Sequence, residues 1–177
     1  MNKTDIFINL ALFQCLWFAA ILGAAQGSNL YSIVGLCIFA VIHHFSSNTA
    51  RTDFKLAALA ILLGLFVETV FLQSGMLIYR GVGPSGQLAP IWILVLWANF
   101  ALTINGCLNW LHGRYALAAL LGAIGAPASY LGGIKLGAAD AGVPLGSLLA
   151  AVAVIYAVVT PGLLFIANYL NTADEKR

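Results

Sequence analysis

Glu68 is the residue most able to do chemistry in this chain. It sits inside the apolar run from Phe54 to Ser74, and no other charge stands between Lys55 and Arg80. A carboxylate in hydrocarbon is expensive, and it faces a protein interior or a water-filled cavity. The run can carry it: its twelve Leu, Ile, Phe or Val residues favour insertion by about 5 kcal/mol. One mid-span acid opposes this by about 3 kcal/mol. Insertion survives, so the acid has two readings, a group in a site or an interhelical hydrogen-bond partner.

Other polar residues fall at similar depth, counted at about 1.5 Å of rise per residue. Gln14, Asn99 and Thr103 lie near the midplane of their runs, and Glu68, Ser129 and Tyr130 lie toward the outer side. Asn99 and Thr103 share a helix face, and Asn105 and Asn109 form a second such pair nearer the cytoplasm. Convergence of Glu68, Gln14, Asn99, Thr103, Ser129 and Tyr130 would make a substrate-binding site. Nucleophile–base pairs are not visible, so no catalytic residue is assigned and the chain leans away from being an enzyme.

His43, His44 and His112 end their runs at the cytoplasmic side. No carboxylate or cysteine stands at ligand spacing beside them, so wet interfacial histidines are expected, with no metal and no cofactor. Cys15, Cys37 and Cys107 match no metal pattern and read as small packing residues. Gly81-Val-Gly83-Pro-Ser-Gly86 fits GxGxxG literally, but it lacks the strand–helix context of a nucleotide site and is rejected. Ser129 after Gly-Ala-Pro-Ala hints at an intramembrane protease; the histidines lie at the wrong side for that chemistry.

The elements that must position these residues are membrane helices. Of 177 residues, 62% are hydrophobic and only 8% charged, far below the roughly 25% of soluble domains. The net charge of +2 with no basic cluster excludes nucleic acid as a partner. Apolar runs at about 6–26, 30–45, 54–74, 90–111, 115–136 and 147–170 predict an all-α polytopic membrane protein, a single domain of six transmembrane helices. The first run exceeds a signal-peptide core and is expected to be retained. With the N-terminus in the cytoplasm, Lys3, Arg51, Lys55, Arg114, Lys176 and Arg177 fall inside, while Arg80 and Lys135 fall outside. That bias places both termini in the cytoplasm.

Local signals fit this plan. Thr52 or Asp53 can cap the third helix and Pro90 can open the fourth. Trp92, Trp110, Tyr31 and Tyr169 stand where aromatic belts form. Gly125, Ser129, Gly133 and Gly137, beside Ala118, Gly122 and Ala126, form small-residue ladders, which predict that the fifth span is the central packing helix. Pro127 and Pro161 each remove a helix hydrogen bond, so kinks are expected there. A strong internal repeat is not visible.

One stretch carries a resemblance. It runs from Leu96-Trp97 through Phe100, Thr103 and Trp110-Leu111, then Gly122-Ala-Ile-Gly125-Ala-Pro127-Ala-Ser129-Tyr130, Gly133 and Leu136-Gly137-Ala138. With the opening Asn9, Phe13-Gln14, Trp17-Phe18 and Gly23-Ala24, it resembles a family of small bacterial inner-membrane proteins catalogued as a domain of unknown function. The resemblance implies a multi-pass protein of the bacterial inner membrane. It carries no site residues over. Such proteins are also associated with lipid-modification gene neighbourhoods.

Two functions compete. One is a small carrier or substrate-binding membrane protein, with Glu68 and the polar residues at its level as the site for a small-molecule or lipid ligand. The other is a non-catalytic accessory subunit of an envelope or lipid-modifying complex, bound to a membrane-protein partner through its packing faces.

Overall fold

Backbone N–H and C=O groups in hydrocarbon must find partners within the chain, so long apolar runs become helices. In the computed structural model, which describes residues 3–81 and 85–175, the runs form α1 (Lys3–Ala25), α2 (Leu30–Ser46), α3 (Ala50–Gln73), α4 (Ile91–Ile104), α5 (Tyr115–Lys135) and α6 (Leu145–Glu175). The protein is all-α apart from two short strands, β1 (Leu77–Tyr79) and β2 (Ala139–Ala141). Four helices, α1, α3, α5 and α6, are long and apolar enough to cross a membrane. α2 and α4 are apolar but shorter, with 17 and 14 residues.

The α3–α4 and α5–α6 hairpins are built alike. α3 ends on Gly75 (φ 69°) and α5 on Gly137 (φ 83°), both in the left-handed region that glycine reaches without strain. The same pair of closing bonds follows each: Met76 N–H to Phe71 O and Gly75 N–H to Leu72 O, then Ala138 N–H to Gly133 O and Gly137 N–H to Ile134 O. A three-residue strand comes next in each, and Pro90 and Pro144 precede the following helices. β1 and β2 pair antiparallel, with Ile78 opposite Asp140. They tie the two hairpins together at one end of the bundle. This internal correspondence was not visible from residue types.

α4 is the central helix. It packs against α1, α2, α3 and α6, and ten of its residues, Trp92 to Ile104, are buried. The ladder in α5 does not make that helix the centre, as its composition predicts. α5 packs chiefly on α6 and buries only Ala118, Gly122 and Gly133. Small residues permit close approach on the side where a neighbour stands, and for Gly122 that neighbour is Tyr156 and Thr160 of α6. Gly125 has open space beside it.

The fourth helix stops at Ile104 and not near 111. Asn9 of α1 terminates it: its Nδ2 donates to Leu102 O (3.1 Å) and its Oδ1 accepts from Cys107 N–H (3.0 Å). Pro127 and Pro161 lie inside α5 and α6, which run through them as continuous helices. Thr52 and Asp53 do not cap α3; both lie within it, and Thr49 takes the cap position. Trp92 is not an interfacial belt residue. It is buried and donates its Nε1–H to Arg80 O (2.9 Å). Trp110, Tyr31 and Tyr169 are exposed.

Candidate functional site

Glu68 is fully buried and accepts from four donors drawn from four elements. Oε2 accepts from the Tyr79 hydroxyl at the end of β1. Oε1 accepts from Trp97 Nε1–H of α4 (2.8 Å), from the Tyr130 hydroxyl of α5 and from the Tyr156 hydroxyl of α6 (3.5 Å). Every group aimed at the carboxyl is a neutral donor, and no cation is paired with it among the described residues. The aromatic rings also support one another: Trp97 and Tyr156 centroids are 5.3 Å apart, and Tyr130 and Tyr156 are 5.9 Å apart. One buried carboxyl thus fixes the rotamers of a wall of rings.

That wall faces a cavity of about 510 Å³ between α1, α4, α5 and α6. Trp97, Tyr130 and Tyr156 form one side, and Phe13, Trp17, Phe100 and Leu111 supply further apolar lining. Trp17 closes it toward the strand end by donating Nε1–H to Ser129 Oγ (2.8 Å). Below that bond its lining residues Gln14 of α1 and Leu121, Gly125 and Ala128 of α5 are exposed. The cavity therefore has a lateral mouth between α1 and α5.

Two lining oxygens are buried without a partner among the described residues. Asn99 Nδ2 donates to Phe13 O (3.0 Å), but its Oδ1 is buried without a partner. Thr160 Oγ1 is likewise buried and unpartnered. The side chain of Gln14, exposed at the mouth, makes no hydrogen bond to another described residue. Buried oxygens without partners are uncommon and call for a reason.

The six expected site residues divide. Gln14, Asn99, Ser129 and Tyr130 line the cavity together. Glu68 stands one layer behind, reached through Tyr130, Tyr156 and Trp97. Thr103 does not line it; its hydroxyl bonds back to Phe100 O (2.5 Å). Sequence reasoning missed Tyr79, Tyr156 and Thr160. Tyr156 carried a signal, being a phenol in the middle of an apolar span whose hydroxyl needs a partner.

A second polar centre lies at the opposite end, near the start of α3 and the last turns of α6. Asp53 is fully buried and accepts from His43 Nε2 (2.8 Å), Ser47 (3.1 Å) and Thr49 (2.9 Å) at Oδ2, and from Asn105 Nδ2 (2.6 Å) at Oδ1. Asn105 Oδ1 in turn accepts from Asn171 Nδ2 (3.1 Å) and His112 Nε2 (2.9 Å), which fixes the His112 tautomer with its proton on Nε2. Burial pushes the His112 imidazole below its ordinary pKa, with Asp53 opposing. His43 is therefore not a wet interfacial group: it is buried in a network joining α2, α3, α4 and α6, whereas His112 is half-buried at the edge of that network and His44 is exposed. Groups of His, Cys, Asp and Glu that could hold a metal are absent among the described residues.

The rejected readings meet the same geometry. Ser129 is engaged by Trp17 and far in the fold from the Asp53 network. The glycine-rich stretch includes residues 82–84, which lie outside the described residues, as do Lys176 and Arg177. Cys15 and Cys37 are exposed, so they do not pack the core.

No curated protein and no solved structure matches the chain. Residues 6–162 match the family described as protein of unknown function (DUF2878), over a stretch that contains most of α1, all of α2 to α5, the Glu68 centre and the cavity lining. The chain belongs to that family.

Proposed function

We propose that this chain is a membrane-embedded binding protein, a small carrier or substrate-binding subunit, whose ligand occupies the cavity between α1, α4, α5 and α6. The observation that carries this reading is the pairing of a large, mostly apolar cavity with unpartnered polar atoms on its lining residues, the usual form of a small-molecule site. Gln14, Asn99, Ser129, Tyr130 and Thr160 are the contacting residues. Glu68 is a positioning residue, acting through Trp97, Tyr130 and Tyr156.

All six helices span the bilayer in this reading, with both termini in the cytoplasm and the paired strands outside, in the bacterial inner membrane. Among the described residues, Lys3, Arg51, Lys55 and Arg114 support the orientation, against Arg80 and Lys135 at the strand end.

The test is mass spectrometry of small molecules extracted from protein purified in mild detergent. A compound should co-purify at a fixed ratio with the native chain. It should be lost from Gly125→Trp, which places an indole in the open space beside Gly125. The same compound at the same ratio in both proteins would refute the reading.

A further inference from the structure

We propose that Trp17 is a gate: its indole shuts the large cavity off from a smaller one beneath the strand pair, and its displacement joins the two into a passage to the strand end. This rests on the binding reading above and, within it, makes the chain a carrier. The smaller cavity holds about 30 Å³, room for a water molecule. Leu77 and Tyr79 of β1 and Ala139 of β2 line it on the strand side. Ile21, one turn along α1 from Trp17, lines it too. The two cavities adjoin, because Ile93 and Leu96 of α4 and Ser129 and Tyr130 of α5 line both. Trp17 lines only the large one.

The groups at the junction differ in how firmly they are held. Ile93 and Leu96 belong to the central helix α4, and Tyr130 is tied to Glu68. Trp17 is held to α5 by one hydrogen bond, from Nε1–H to Ser129 Oγ (2.8 Å). Its ring lies over Gly132, where a Cβ would stand 3.1 Å from Cη2. That bond crosses a seam: α1 packs against α2 and α4, whereas α5 packs chiefly on α6. A single side-chain hydrogen bond contributes little on balance, and the large cavity has the volume to take an indole that turns inward. A binding subunit is served by one mouth. A carrier gives access from two sides in turn around a fixed site. With the lateral mouth open and Trp17 on Ser129, the structure is the state closed at the strand end.

The experiment is thiol labelling of Ala126→Cys, on the lining of the large cavity alone, in the full chain with its three native cysteines replaced. The probe is a cationic, membrane-impermeant methanethiosulfonate, added to intact cells and to inside-out vesicles. Gly86→Cys, exposed in the loop between β1 and α4, shows which preparation presents the strand side. From that side the parent should label slowly. Ser129→Ala, and independently Trp17→Phe, which keeps a ring but loses the N–H, should each raise the rate about fivefold, the value of one hydrogen bond. Melting temperatures in detergent establish that both variants are folded. Unchanged rates in both folded variants overturn the gate, as does fast labelling of the parent from the strand side. A rise of equal size from both sides also overturns it, because Trp17 would then only hold the helices together. None of these results touches the binding reading, which stands or falls on the compound lost from Gly125→Trp.

Discussion

Glu68 and Tyr130 stand at the same distance before the turns of two hairpins of like construction, and they are hydrogen-bonded to each other. They are 62 residues apart, the same spacing that separates Gly75 from Gly137 and Ile78 from its partner Asp140. An exact repeat would place two acids or two phenols face to face. The chain instead sets one acceptor against one donor, and so a bond forms.

Substitutions at Glu68 should separate charge from hydrogen bonding. In Glu68→Gln the amide oxygen can take the Oε1 position, accepting from Trp97, Tyr130 and Tyr156. Its NH₂ then takes the Oε2 position and donates to the Tyr79 oxygen, which a hydroxyl can accept. Stability should fall by less than about 1 kcal/mol. Glu68→Leu strands the Tyr79 and Trp97 donors and one of the two phenols that remain paired with each other, Tyr130 and Tyr156, and should cost about 3 kcal/mol or more. Thermal unfolding in detergent checks the difference, and equal losses would contradict it. If the carboxyl proton itself matters to transport, Glu68→Gln abolishes transport while keeping the fold.

Gly64 and Trp97 make a second test. A Cβ at Gly64 would overlap the Trp97 indole, whose Nε1–H must still reach Glu68 one turn along α3. Gly64→Ala should therefore destabilise by about 1–3 kcal/mol, even though alanine is the better helix former. Tryptophan fluorescence should shift with it. A variant as stable as the parent would show that the ring can move aside.

On α5, two glycines should behave oppositely. Gly122 lies against the Tyr156 carbonyl and Thr160, while Gly125 faces open space. Gly122→Ala should loosen the α5–α6 contact and lower the melting temperature in detergent. Gly125→Ala should leave it unchanged or raise it slightly. The reverse order would refute the packing described here.

The Asp53 network should be a stability element. Asp53→Leu removes the acceptor shared by His43, Ser47, Thr49 and Asn105. Breaking a buried polar network of this kind costs about 3 kcal/mol. Loss of folded protein on size-exclusion chromatography, with Asp53→Asn intermediate, is the expected result. Full stability of Asp53→Leu would contradict it.

Topology can be mapped by cysteine labelling in a chain whose three native cysteines are replaced. Cysteines at Gly75 and Gly86 should react with an impermeant reagent in intact cells. One at Gly113 should react only after permeabilisation. The opposite pattern would invert the orientation.

The apolar runs showed where helices form because hydropathy is local. Glu68 announced itself for the same reason: one carboxylate in an apolar stretch has to be enclosed. Of its partners Tyr130 could be read at its level, but Tyr79 and Tyr156 were hidden, since they come from separate elements, β1 and α6, that only the fold gathers. Asp53 was read as a helix cap because its neighbours in sequence are polar. Its burial depends on Asn105 and Asn171, far along the chain. The centrality of α4 was equally invisible. Small-residue ladders announce close packing, but not whether a helix has neighbours on one side or on all.

The four donors around Glu68 also fix a schedule for biosynthesis. Tyr79 leaves the ribosome just after α3, then Trp97 with α4, Tyr130 with α5 and Tyr156 with α6. Chains emerge N-terminus first, so the acid is quenched one helix at a time. A nascent chain arrested after α4 holds a carboxyl that lacks both of its Oε1 phenols. Only α6 brings the last of them, so the same atoms that shape the cavity wall come together after five helices have already been made.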